Sequence, residues 1–586
     1  MDPFPDDIFN LADIVSRVAR EDPERIAVID LDGWEGHGTR RYKRHTYAEL
    51  SADVEAVAAG LREMGIAELT RIVCMSPPSY ETCVMGVALT RVGAFTIWID
   101  PAVGYRNVAE RLSRVQPEAF LGNALAHLGR ITFGWGPRDL RKLVVTESPL
   151  FPGGRIITGF PPFPGAHSIR SLRKHAAGEP KPPNVGPDDP CAVLYTTGST
   201  GPAKPSLYLH RNFCQLFRNA HHSWGFDKGN EIPVDLAVFP AFLFIPISAG
   251  GTMVVPPIDF ARQGPAQVDP AALIQVINDC KVRSFFAAPI LIENLAREAL
   301  ARNLTMPSLK RVIGAGAPIS GPVETMLSAV MAPDGELAAN YGATEAMPST
   351  ELSSREHLDG LWDLTNQGAG VCVGYALPGV ELKIIDIADG PIESIADTSE
   401  LPTGSIGEIM VRGKHVSPEY YLDPDATRKN KVPDPQGNWH RFGDVGYLDA
   451  AGRLWVCGRV SQRVRAAGGD VFPLQVEPLF DAHPKVRRSG LVGVPGPAGE
   501  LPVLCVEVEH EVGKDELAGL HRELLARAAE SKGANTIHAI LFKDRLPVDP
   551  RHNSKIERPR LAKWAARQLS GHRCSRRAHP DTETTI

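Results

Sequence analysis

Between residues 47 and 121 the chain alternates two hydrophobic periods, and this alternation limits the fold more than any other feature. Residues 47–63 carry apolar side chains at helical spacing, and Arg71-Ile-Val-Cys-Met75 is a short apolar run. Residues 80–91 return to the helical period, and Phe95-Thr-Ile-Trp-Ile99 is strand-like. Residues 104–115 and Ala119-Phe-Leu121 repeat the pair. Strands separated by helices are joined by crossovers, so neighbours run parallel and are buried on both faces. The expected fold class is α/β, with helices covering a largely parallel sheet. Past residue 400 the text changes to shorter strands and turns, as in Gly407-Glu-Ile-Met-Val-Arg-Gly413 and Gly452-Arg-Leu-Trp-Val456. A small α+β unit follows over about 462–569, with its last helix at 558–569.

At 586 residues the chain exceeds what one core of roughly 250–300 residues can serve. Its 54 glycines and 50 prolines are scattered, which fits a loop-rich globular protein and excludes a collagen-like polymer. A net charge of −6 excludes a generally basic nucleic-acid binder, though not a local basic patch. The nine cysteines are dispersed and form no C-x-x-C pair, so neither a zinc module nor a redox motif is expected. They read as reduced thiols of a cytoplasmic protein. The start is acidic at Asp2, Asp6 and Asp7, where a signal peptide would be basic. Residues 237–258 carry no charge and are long enough to span a bilayer. Pro240, Pro246, Pro256, Pro257 and Gly250-Gly251 make buried strands joined by turns the better reading, so no integral membrane segment is expected. Ten prolines between Pro149 and Pro190 predict a surface connection. The polar tail 570–586 is expected to be disordered.

The strongest local signal is Tyr195-Thr-Thr-Gly-Ser-Thr-Gly-Pro-Ala-Lys-Pro205, where a strand runs into a loop. Gly198 and Gly201 let the backbone approach an anion. The amides and hydroxyls of Thr196, Thr197, Ser199 and Thr200 can cradle phosphates, with Lys204 as a mobile positive charge. A Walker loop is excluded, since Ala203 precedes the lysine and Pro205 follows it. Taken alone, an ordinary polar turn stays open.

Four further segments follow in order: Gly314-Ala-Gly-Ala-Pro318, Asn340-Tyr-Gly-Ala-Thr-Glu345, Gly443-Asp-Val-Gly446 with Gly458-Arg459, and Asn553-Ser-Lys-Ile556. With the loop they resemble the signature motifs of the adenylate-forming superfamily of acyl-CoA ligases, carrier-protein adenylation domains and luciferases. The resemblance covers residues 10–569. It implies a large region of α/β subdomains over 1–460, a small mobile α+β cap over 461–569 and the tail 570–586. It implies ATP and Mg2+. Gly314, Ala315, Gly316, Ala317, Pro318, Asn340 and Tyr341 would form the adenine pocket, with the Tyr341 face stacking on the base. Thr344 would bond the α-phosphate, and Glu345 with Thr200 would hold the metal. Asp444 and Arg459 would bind the ribose. Lys555 would reach the carboxylate and α-phosphate, and Ser461 would be the hinge. Singly, Tyr341 reads as a core tyrosine, Glu345 as a surface carboxylate and Asp444 or Arg459 as half of a surface ion pair.

The chain departs from common acyl-CoA ligases at Ser461, at Ala203-Lys204-Pro205, at Leu243 where no histidine is near, and at Asn553-Ser554. Segments such as Ile99-Asp-Pro-Ala-Val-Gly-Tyr-Arg-Asn107, Gly134-Trp-Gly136, Gly368-Ala-Gly-Val-Cys-Val-Gly374 and Arg551-His-Asn-Ser-Lys-Ile556 resemble the β-lactone synthetases of bacterial long-chain olefin biosynthesis. That branch implies conversion of a β-hydroxy fatty acid and ATP to a β-lactone, AMP and pyrophosphate, beside other olefin or β-lactone pathway enzymes. His552 is a candidate base by position, and 239–255 is expected to help line the acyl pocket. An acyl-CoA or acyl-AMP ligase, and a nucleotide-binding scaffold without turnover, stay open as alternatives.

Overall fold

The alternating runs fold as their hydrophobic periods require. Helices Tyr47–Glu63 and Tyr80–Arg91 and strands Arg71–Met75 and Ala119–Gly122 take the expected places. Strand Phe95–Trp98 stops one residue before Ile99, and the next helix is Tyr105–Val115. Thr46 starts the first of these helices with a reciprocal cap: its hydroxyl accepts from Glu49 N and its amide donates to the Glu49 carboxylate.

The computed structural model describes residues 10–35, 39–99, 105–137, 139–146, 163, 165–175, 181–196, 203–228, 231–531, 533–548 and 556–577. The chain divides into two units. One comprises Met1–Glu351, Leu377–Glu381 and Val411–His440, and the other Leu352–Ala376, Leu382–Met410 and Arg441–Ile586.

In the first unit, one sheet has the order Ala166–Ser168, Lys142–Val145, Ala119–Gly122, Arg71–Met75, Phe95–Trp98, Pro190–Tyr195 and Pro205–Leu209. Every pairing in it is parallel except the last. A second sheet runs Ala346–Ser353, which belongs to this unit up to Glu351, then Glu336–Ala343, Arg311–Gly314, Ser284–Ala287, Val234–Leu236, Thr252–Val254, Ile26–Glu35 and Thr39–Thr46. Leu50, Val57 and Leu61 from one helix, Val84 and Ala88 from the next, and Phe217 and Ala220 from helix His210–Trp224 share one core. Each large aliphatic side chain fully buried there contributes about 1.5–3 kcal/mol relative to exposure.

Two local expectations change. The uncharged run 237–258 is not strands and turns alone: a short helix, Phe244–Ser248, precedes strand Thr252–Val254. Its side chains are buried on every side, so no polar face marks it as helical. The proline-rich connection also contributes to the core. Strand Ala166–Ser168 edges the first sheet, and Ile169 and Leu172 are fully buried.

The second unit contains strands Leu454–Arg459 and Val371–Cys372, together with strand Trp439–Leu448 from Arg441 onward and strand Gly407–Gly413 up to Met410. It continues through the hairpin Val464–Ala466 and Gly469–Val471 to a sheet of Val486–Gly496, Gly499–Val508 and Ala539–Phe542. Helices Pro473–Asp481 and Leu517–Glu530 pack on that sheet through Val476, Phe480, Leu520 and Leu524. The last helix is Arg558–Arg577, not 558–569, so the start of the expected disordered tail is helical; residues 578–586 lie outside the described residues. Ser570 returns its hydroxyl to the Ala566 carbonyl at 2.8 Å and so stays compatible with the helix. Among the described residues no helix is long and apolar enough to cross a membrane.

Candidate active site

Strands Pro190–Tyr195 and Pro205–Leu209, on either side of the glycine-rich segment, pair antiparallel. Thr196 N donates to the Lys204 carbonyl, and Lys204 N to the Thr196 hydroxyl, both at 3.0 Å. Thr197, Gly198, Ser199, Thr200 and Gly201 lie outside the described residues. The Lys204 ammonium sits 5.1 Å from the centre of the Tyr420 ring.

Strand Arg311–Gly314 lies parallel to Glu336–Ala343 with Gly314 opposite Ala339. The turn Gly314-Ala315-Gly316-Ala317-Pro318 therefore leaves the sheet beside Asn340 and Tyr341. Gly316 takes a left-handed φ of +92°, which a side chain would strain. Asn340 donates through Nδ2 to Ser223 Oγ at 2.9 Å and to the Thr350 carbonyl at 3.2 Å. Its Oδ1 is buried with no protein partner, an acceptor suited to an exocyclic amine.

Thr344 and Glu345 join Glu336–Ala343 to Ala346–Ser353. Gly342 permits this turn, since a Cβ there would lie 2.6 Å from the Ala346 carbonyl oxygen. Gly342→Ala should therefore destabilise the first unit by about 1–3 kcal/mol, read from its urea midpoint. An unchanged midpoint would show that the turn relaxes freely. The Thr344 carbonyl accepts from Tyr208 Oη at 2.7 Å.

Glu345 is buried, which removes the reading of it as a surface carboxylate. Its Oε1 accepts from Tyr420 Oη at 2.5 Å, and its carbonyl accepts from Ser417 N at 2.9 Å. Burial first, then the Glu345 charge, pushes the Tyr420 phenol far up, so it stays a donor. Lys431 is buried beneath, with Nζ donating to the Ser417 carbonyl at 2.5 Å and Oγ at 3.1 Å. Burial pushes its ammonium down to about 7; Glu345 opposes that shift and Lys204 reinforces it. His415 falls to about 4 and His440 well below its usual value, each by burial first and Lys431 second.

In the second unit, Asp444 and Arg459 face each other across antiparallel strands. Arg459 Nε meets Asp444 Oδ1 at 2.9 Å. Asp444 is buried at the end of this pair, so it is not half of a loose surface contact. Ser461 lies in the short turn Val460–Gln462 that follows. Lys555, with His552, Asn553 and Ser554, lies outside the described residues. On either side of them an antiparallel bridge joins Val548 to Ile556, and Glu557 N donates to the Pro547 carbonyl at 2.8 Å. Among the described residues no group of three or more His, Cys, Asp or Glu side chains could hold a metal ion.

The sequence reading missed Tyr420, Lys431, Ser417 and Ser206. Tyr420 lies 75 positions from Glu345, and Ser417 lies 211 from Ser206. No periodicity reaches that far. The one available signal was Lys431 beside Val432 on a strand-like pair, an unusual place for an ammonium.

Residues 15–421 match the family described as AMP-binding enzyme. The chain belongs to the AMP-binding enzyme family. Olefin beta-lactone synthetase from Xanthomonas campestris pv. campestris is 36% identical over 565 residues, covering 95% of this chain and 98% of that protein. The enzyme of the same description from Stenotrophomonas maltophilia is 35% identical over 568 residues, covering 96% and 98%. ATP-bound MatB from Rhodopseudomonas palustris shares the fold, with a TM-score of 0.71 at 21% identity over 95% of this chain and 99% of its own. This AMP-binding enzyme is thus an ATP-dependent adenylate-forming ligase, as expected, and its α/β fold is the family's.

Proposed function

We propose that this enzyme converts a β-hydroxy fatty acid and ATP to a β-lactone, AMP and pyrophosphate. The observation that carries this reading is 35–36% identity to olefin beta-lactone synthetases of two bacteria over nearly their whole length. In the first step the substrate carboxylate attacks the α-phosphorus and pyrophosphate leaves. In the second, the 3-hydroxyl attacks the activated carbonyl, its proton passes to a base, and AMP leaves. A hydroxyl held beside its own carbonyl reaches effective concentrations of about 10⁵–10⁸ M in good cases, which helps offset the ring strain. His552 is the candidate base by position.

The roles follow the chemistry of each group. The 196–201 loop and Lys204 would hold the phosphates. Gly314, Ala315, Gly316, Ala317, Pro318, Asn340 and Tyr341 would hold adenine, with the unpartnered Asn340 Oδ1 as the base's acceptor. Thr344 would contact the α-phosphate, and Asp444 with Arg459 the ribose. The residues fit Mg2+ bound through ATP: with one buried carboxylate, Glu345, and the Thr200 hydroxyl, the remaining ligands would be phosphate and water, as this ion prefers. Bound there, it would supply charge neutralisation between the two approaching anions. Residues 461–569 would act as a cap turning at Ser461 and delivering Lys555. The apolar stretch 239–255 would line the acyl pocket. Cys74, Cys83, Cys191, Cys214, Cys280, Cys372, Cys457 and Cys505 are buried and free, which supports a reducing cytoplasm. Work beside other olefin or β-lactone pathway enzymes is inferred from the same resemblance.

Purified enzyme supplied with ATP, Mg2+ and a 3-hydroxy fatty acid, without CoA, should release AMP and a β-lactone identifiable by NMR. Acyl-CoA formed only when CoA is added would overturn this and favour an acyl-CoA ligase.

A further inference from the structure

The segment 417–421 joins two parts of the first unit that the sequence keeps far apart. Ser417 Oγ bonds Ser206 Oγ at 2.8 Å, Leu207 N donates to the Glu419 carbonyl at 3.0 Å, and Tyr421 N donates to the Pro205 carbonyl at 2.7 Å. On one side the segment therefore grips the strand that follows Lys204. On the other, Ser417 N and Tyr420 Oη hold the backbone and carboxylate of Glu345. The Tyr420 ring is almost fully buried, with Lys204 Nζ 5.1 Å and Lys431 Nζ 5.8 Å from its centre. One side chain thus touches the proposed phosphate lysine, the proposed cation carboxylate and a buried ammonium.

We infer that Tyr420, supported through Ser417 by Lys431, is a positioning residue that fixes the carboxylate of Glu345 relative to the ammonium of Lys204. This rests on the roles proposed above for those two groups. A phenol donating to Oε1 leaves Oε2 to face a cation, and it prevents the carboxylate from collapsing onto the nearby Lys204. The Lys431 ammonium serves the same end from below, since its bonds to Ser417 hold the segment that carries the phenol. Glu345 is buried, so a misplaced carboxylate would be attracted to the lysine more strongly than at a surface.

Tyr420→Phe deletes the donor and keeps the ring. It should lower kcat for acid-dependent ATP–pyrophosphate exchange about tenfold, as for loss of a hydrogen bond to a charged group. In calorimetric titration the variant should bind ATP with Mg2+ several-fold more weakly, while AMP affinity stays within about twofold, because AMP lacks the phosphates that Lys204 serves. In a Glu345→Gln background the same change should have almost no further effect on kcat, which is the coupling a general loss of packing would not produce. Lys431→Met should act in the same direction as Tyr420→Phe, and Lys431→Arg should restore part of the loss. Equal loss of ATP and AMP affinity, or full additivity with Glu345→Gln, would overturn the inference. If Glu345→Gln and Lys204→Met themselves leave exchange unchanged, the underlying site assignment fails instead.

Discussion

Lys555→Ala should slow acyl-adenylate formation by roughly 10²–10³-fold, the usual cost of removing one charge-stabilising donor from a transition state. A carboxylate and a phosphate, both anionic, must come into bonding distance, and an ammonium between them relieves the repulsion that grows along the reaction. ATP affinity should change little, because the contact is made as the bond forms. Ile556, the residue after Lys555, packs with Leu546, Leu561 and Val492. Lys555 is thus one residue along the chain from a packed core. The unfolding transition should accordingly stay where it is. ATP–pyrophosphate exchange driven by a 3-hydroxy acid is the measurement, and an unchanged rate would remove Lys555 from the mechanism.

The largest effect on stability is expected at Arg441. Its guanidinium meets the Glu408 carboxylate in two parallel bonds of 2.9 and 2.7 Å, and both side chains are almost fully buried. It also donates to the carbonyls of Gly390 at 2.6 Å and Ala388 at 2.5 Å. Arg441→Met leaves a buried carboxylate without a counter-charge, which costs about 3–5 kcal/mol. Urea unfolding of the second unit, followed through the buried Trp455, should show the lowered midpoint. Arg441→Met combined with Glu408→Leu should regain most of the loss, because the unpaired charge is gone. Arg441 sits three residues before Asp444, the proposed ribose carboxylate, on strand Trp439–Leu448, so the single variant should also weaken ATP binding. A midpoint identical to the parent would show that the carboxylate finds another partner or a proton.

Some elements were readable because their physics is local. The helices at Tyr47–Glu63 and Tyr80–Arg91 follow from apolar spacing and from caps such as Thr46 with Glu49. Strand Gly407–Gly413 follows from a short apolar run between turn residues. Helix Phe244–Ser248 did not, since a segment buried on all sides has no amphipathic period. Ile169 and Leu172 were hidden by prolines around them, which mark turns but not which neighbouring side chains reach the core.

The same division applies to the candidate site. The loop Tyr195–Pro205 was legible because an anion-binding turn needs glycines, hydroxyls and a charge at close spacing, whereas Gly314–Pro318, Asn340–Glu345, Asp444, Arg459 and Lys555 were singled out by their resemblance to the family's motifs. From these the family, and the dependence on ATP, could be reached without coordinates. Tertiary structure alone decided that Asp444 and Arg459 meet across two strands at 2.9 Å, and that Glu345 is buried under Tyr420 with Lys431 beneath. Those contacts join residues far apart in sequence. Their energy comes from desolvation and close electrostatic pairing, which exist only once the chain has brought the groups out of water together.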